Sequence, residues 1–205
     1  MSAQAFFIGD HAALDFLNSI AAPRGEEIEA IADGAAYLRW LVDAGLLRPA
    51  EKVSLEAKFG KIALDRVAAE ARELREWFRR MIETSGSSNA RRFGSPQRAE
   101  IVATLNQILS GASRHRQLEI DEKRLVLREQ PAFTKAGQLL LPVAEALAEL
   151  MTVTDQALIK RCANPNCTMW FYDRTKAHRR LFCSAAVCGN RAKVAAFRER
   201  QRAAK

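Results

Sequence analysis

Cysteine is absent from the first 161 of the 205 residues, so no thiol is available there as a nucleophile. Histidine is almost as scarce. His11, His115 and His178 are scattered, and no glycine-rich phosphate loop accompanies them. His11 and Asp15, four residues apart, are expected to act as a cap or a surface contact and not as a metal site. No uncharged apolar run reaches the roughly 18 residues of a membrane helix, because Glu145 and Glu149 break the nearest case, Leu139 to Met151. The segment Met1 to Asp10 carries no basic stretch ahead of its short apolar patch, so no secretory signal is expected. Repeats and heptad seams are missing as well. Together these absences predict a cytoplasmic protein that is not an enzyme and does not span a membrane.

The cysteines that are present, Cys162, Cys167, Cys183 and Cys188, follow the spacing C-x4-C-x15-C-x4-C. Two close pairs separated by a folded stretch can bring four thiolates to one tetrahedral zinc ion at about 2.3 Å. A reducing compartment disfavours disulfides, so one structural zinc is the expected cofactor. A closed set of four cysteines leaves no coordination position for catalysis.

Charge is distributed as unevenly as cysteine. Lys160 to Lys205 holds twelve Lys and Arg against Asp173 and Glu199, a net +10, while residues 1–159 sum to −2. Four thiolates and one zinc ion would still leave the tail at +8. Such a field on a small module predicts a polyanionic partner.

The fold class expected is mainly α with a minor α+β element. A helical domain (1–157) with a small β-hairpin precedes a treble-clef-like zinc mini-domain (158–205). Helices are predicted over Asp10–Ile20, ended by Pro23 and Gly25, and over Gly34–Ala44, closed by Gly45. Pro49 suits a first helical turn. The main core helix carries Leu64, Val67, Ala71, Leu74, Phe78 and Met81 on one face. Thr84 to Pro96 reads as a solvated loop containing Arg91 and Arg92, and Ser95-Pro96 as the start of a helix reaching Leu109. His115–Ile120 and Arg124–Arg128 form a hairpin around Asp121-Glu122-Lys123. Leu139 to Ile159 is predicted to be helical and to lead directly into Cys162.

Asn164, Pro165 and Asn166 suit the tight turn between the first two cysteines. Trp170, Phe171 and Tyr172 suit a strand, with Leu181 and Phe182 returning beside it, and are assigned to packing around the metal. His178 is expected on the loop beside them. Gly189 is expected to take an unusual backbone angle and Asn190 to cap a final helix, Arg191–Arg202. Arg191, Arg198 and Arg202 share one face of it, with Lys193 and Arg200 alongside.

The run Cys188-Gly189-Asn190-Arg191, with Cys162-x4-Cys167 upstream and the basic helix downstream, resembles the CGNR zinc-finger family of bacteria. Gly9 to Asn18 is similar to the opening motif of the ABATE domain that accompanies such fingers. The resemblance implies the four cysteines as zinc ligands, Gly189, Asn190 and Arg191 as signature residues, DNA binding by the finger, and a stress-responsive transcription regulator.

The function expected is thus zinc-dependent DNA binding in transcription regulation. Candidate contacts are Arg174, Lys176, Arg179, Arg180, Asn190, Arg191, Lys193, Arg198 and Arg200. The alternatives are an RNA-binding module that stacks bases on the aromatic run, or a protein-interaction adaptor with a basic docking tail. Asp15, Asn18, Arg75 and Asn106, polar residues set among apolar neighbours, are candidates for an effector pocket. A small-molecule effector, RNA polymerase and a second copy in a homodimer are further candidate partners.

Overall fold

The computed structural model describes residues 5–22, 26–84, 93–153 and 155–203. Pro23 and Gly25, and the Arg91-Arg92 pair, lie outside them.

The first helix, α1 (Ala12–Leu17), starts where His11 Nδ1 accepts from the Ala13 N–H at 3.2 Å. Two short strands, β1 (Ile20–Ala21) and β2 (Ile28–Glu29), pair antiparallel after it. Asp33 caps α2 (Gly34–Asp43) by accepting from Ala36 N at 2.7 Å. Gly45, at φ 72°, then turns the chain out of the helix as its position suggested.

The longest element, α3 (Pro49–Thr84), contains every residue of the predicted stripe, all buried. Each such Leu, Val or Phe contributes roughly 1.5–3 kcal/mol when taken fully from water. The periodicity conceals one break. Gly60 sits at φ 69°, ψ 167°, so α3 is two helical segments joined at a kink that only glycine adopts without strain.

Next come α4 (Ser95–Leu109) and the hairpin β3 (Arg114–Asp121) and β4 (Arg124–Pro131), in register from Arg114↔Pro131 to Asp121↔Arg124. A 3₁₀ turn (Ala136–Leu140) leads into α5 (Leu141–Val153). Here the expectation of helix to Ile159 is corrected. The β-branched Thr152 turns its hydroxyl back to Ala148 O at 3.0 Å, and Asp155 caps a separate turn, Gln156–Leu158, at Ala157 N. What enters the cysteine segment is a strand, β5 (Ile159–Arg161).

Strand β6 (Trp170–Tyr172) pairs antiparallel with β5, Ile159↔Tyr172 through Arg161↔Trp170, and not with Leu181 and Phe182 as expected. The first cysteine pair therefore occupies the turn of this hairpin. The Leu181 carbonyl meets the hairpin end by accepting from Ala163 N at 2.8 Å. A wide turn (Ala185–Gly189) carries Cys188 into α6 (Asn190–Ala203).

The large core gathers Leu14, Phe16, Trp40, Val67, Phe78, Leu139 and Leu147, and it also takes in Ile159 and Trp170. A second cluster joins the four cysteines to Ala21, Met169 and Phe171, with Phe6, Ile8 and Phe182 partly buried against it. Among the described residues no helix is long and apolar enough to cross a membrane.

Candidate metal centre and basic surface

The hairpin turn supplies Cys162 and Cys167, and the approach to α6 supplies Cys183 and Cys188. Cys183 Sγ lies 3.7 Å from Cys167 Sγ and 3.6 Å from Cys188 Sγ, and all four sulfurs lie within 4.8 Å of one another. A zinc tetrahedron with bonds of about 2.3 Å has edges of about 3.8 Å, whereas a disulfide would need about 2.05 Å. The residues present fit zinc. The Cys183 N–H points at Cys162 Sγ at 3.5 Å, and Ser184 Oγ accepts from Val187 N at 3.3 Å to hold the second turn.

The thiols also titrate as a crowded set. Hydrogen bonding from Cys183 pulls Cys167 down to about 5, against the opposing effect of burial. Cys183 is pushed up, first by its bond to Cys167 and then by burial, and burial raises Cys188 to about 11. One sulfur holds charge at its neighbours' expense. A divalent cation is what allows four thiolates to coexist there, and the site is that of one structural zinc.

The loop between β6 and Cys183 is organised by Asp173, which is fully buried. Its carboxylate accepts from Lys160 Nζ at 2.6 Å, Thr175 Oγ1 at 2.6 Å, Thr175 N at 3.1 Å and Arg180 N at 2.9 Å. Burial alone would raise this carboxyl, but the four donors outweigh it and hold the group well below the usual carboxylate range. Arg174, Lys176, Arg179 and His178 are consequently displayed outward. Asp173 was not singled out in the sequence, although its signal is visible there as the only acid between Lys160 and Cys188.

Arg180, grouped among the candidate nucleic-acid contacts, is placed as an internal brace. Its guanidinium donates to Phe182 O at 3.0 Å and to Cys183 O, pairs with Asp10, and lies 4.3 Å from the Phe171 ring centroid. Through these contacts it ties the loop to the metal centre and to the segment that precedes α1. Asn190, Arg191, Lys193, Arg198 and Arg200 are exposed on α6. Asn190 already has helical angles and opens α6 from within, so it is not the expected cap. Gly189 does not take a left-handed angle, and a Cβ there would make only ordinary contacts with Phe182, Ser184 and Ala185.

The four residues grouped as an effector pocket are not brought together. Asp15 accepts from Gly9 N at 2.7 Å, and its burial raises it to about 6. Asn18 donates to Trp170 O and accepts from Trp170 N, both at 2.8 Å. Arg75, buried in α3, makes a bidentate pair with Glu29 at 2.7 and 2.8 Å and reaches Ser19 Oγ and Glu76. Asn106 is exposed on α4. The first three polar groups are embedded because they are paired internally, and none of the four lines the clefts of about 330, 250 and 280 Å³.

His11 proves to be a cap, as expected. Trp170 and Phe171 are buried and Tyr172 is half-buried, so the aromatic run packs the interior.

The profile of the ABATE family, described as "putative stress-induced transcription regulator", matches residues 10–153. That of the CGNR zinc finger matches residues 159–201. No curated protein matches the chain. The first match takes in α1 through α5 and the second the metal centre with most of α6, so the chain belongs to the ABATE family and carries a CGNR zinc finger.

Proposed function

We propose that this protein regulates transcription by binding duplex DNA through its zinc-braced lobe, and that it catalyses no reaction. The observation that carries the reading is the character of α6. It leaves the second cysteine pair directly, buries none of its residues, and presents Arg191, Lys193, Arg198, Arg200 and Arg202 with Glu199 as its only acid. Its fourteen residues span about 21 Å at 1.5 Å each, and a single helix fits the DNA major groove. Arg174, Lys176 and Arg179 add charge on the loop pinned by Asp173. The burial of Trp170 and Phe171 removes the stacking surface that single-stranded RNA would use, which favours the duplex reading.

The test is fluorescence anisotropy of the zinc-loaded protein with duplex DNA across a salt series. If about five phosphates are neutralised, log K falls against log salt with a slope near −4.5. Arg198→Ala should bring that slope closer to zero by about 1. A slope near zero, or duplex affinity indifferent to zinc removal, would reject the reading.

A further inference from the structure

The hairpin of β3 and β4 is amphipathic in the reverse of the usual sense. Ordinarily the apolar side of an antiparallel pair lies on the core and the polar side faces water. Here Glu119 and Gln130, with Val126, face the body of the protein, and Glu119 pairs with Arg48 at 2.7 Å. The outward face carries Leu118, Ile120, Leu125 and Leu127, which are 60, 77, 70 and 51% exposed. The register sets Leu118 opposite Leu127 and Ile120 opposite Leu125, so the four form one contiguous patch. One step toward the base, the same face holds Arg116 opposite Glu129. A two-stranded ribbon is marginal on its own, and this one leaves its best apolar surface uncovered.

We infer that this face is the seam of a homodimer, in which a second copy of the hairpin packs face to face about a two-fold axis running along the strands. That symmetry places β3 of one copy over β4 of the other at equal height. Leu118 then lies over Leu127, Ile120 over Leu125, and Arg116 of each copy meets Glu129 of the other. The same pairs that face one another across the ribbon recur between copies, so the surface is complementary to itself, as an isologous interface requires. Each patch offers on the order of 500 Å², and two together reach roughly 1,000 Å², the lower bound for a specific interface. A polyanion would find little here, because the patch itself is uncharged. The inference does not depend on what the zinc lobe binds.

Sedimentation velocity of the nuclease-treated, zinc-loaded full chain over a concentration series is the test. The wild type is expected to sediment as a dimer that dissociates on dilution. Leu118→Glu with Leu127→Glu should give monomer with an unchanged far-UV circular dichroism spectrum. Arg116→Glu alone should weaken association at least tenfold, and adding Glu129→Arg should restore it. A wild type that stays monomeric throughout, or a dimer indifferent to the Leu118 and Leu127 substitutions, would overturn the proposal. Failure of the charge exchange to rescue would overturn the face-to-face arrangement. Because no DNA is present, none of these outcomes depends on the proposed DNA binding.

Discussion

From α1 to α5 the chain carries balanced charge and closes over Leu14, Phe16, Trp40, Phe78 and Leu147, side chains contributed by several helices. From β5 onward it is strongly basic and has little more than Met169, Phe171 and four sulfurs to close over. The first region is held by apolar area and can spend interior space on a buried charge such as Arg75. The second lacks the apolar mass for a core and substitutes coordination. The contrast is not a separation. Trp170, which flanks the metal hairpin, belongs to the large core, while Phe6, Ile8 and Ala21, from early in the chain, finish the shell around the sulfurs.

The largest break in this comparison comes from removing the metal. Chelation, or Cys183→Ser, forfeits a binding free energy that in small zinc modules is about 10 kcal/mol or more and is coupled to folding. Duplex affinity should vanish. Calorimetry should also show the main unfolding transition moving to lower temperature, since α1 and the segment before it lose partners. An unchanged transition would mean that the two regions are energetically independent.

Asn18→Ala probes the joint itself. It strips a donor and an acceptor from the buried Trp170 backbone and should cost about 2–4 kcal/mol in urea unfolding, with zinc content unchanged.

The smallest effect belongs to Asp15. Its pKa in the folded protein, about 6, lies above its value in the unfolded chain. Between those two values the folded state holds the extra proton, so stability falls as pH rises toward 6 and the loss is complete above it. Asp15→Asn keeps an acceptor for Gly9 and removes the buried charge. It should be more stable than wild type by about 1–2 kcal/mol at pH 7.5, a figure reduced for solvent screening, and the gap should narrow toward pH 5.5 in parallel melting curves.

The elements legible in the sequence were those whose signals are local. The stripe from Leu64 to Met81, the closing of α2 by Gly45, and the alternation around Asp121 to Lys123 each encode their own conformation. The cysteine spacing was equally legible because four soft ligands have few other uses. Gly60 escaped notice because an apolar period continues on both sides of it. Strand β5 was hidden because Ile159 prolongs the apolar run of α5, and three residues are too few to show a period of two. The bracing contacts of Arg180 were not legible because counting charges reveals nothing of direction: it turns inward to carbonyls that no short window of sequence displays. Arg75 and Asn18 likewise have partners 46 and 152 positions away.

That last separation bears on how the protein is made. Gly9 accepts from Tyr172, and Asn18 grips Trp170, so the segment around α1 is completed by one that follows it at long range in the chain. On the ribosome, where the chain emerges in order, α1 must wait for that later segment to be made before its closing partner exists. Closure of α1 over the metal hairpin therefore trails the synthesis of α1 by some 152 residues.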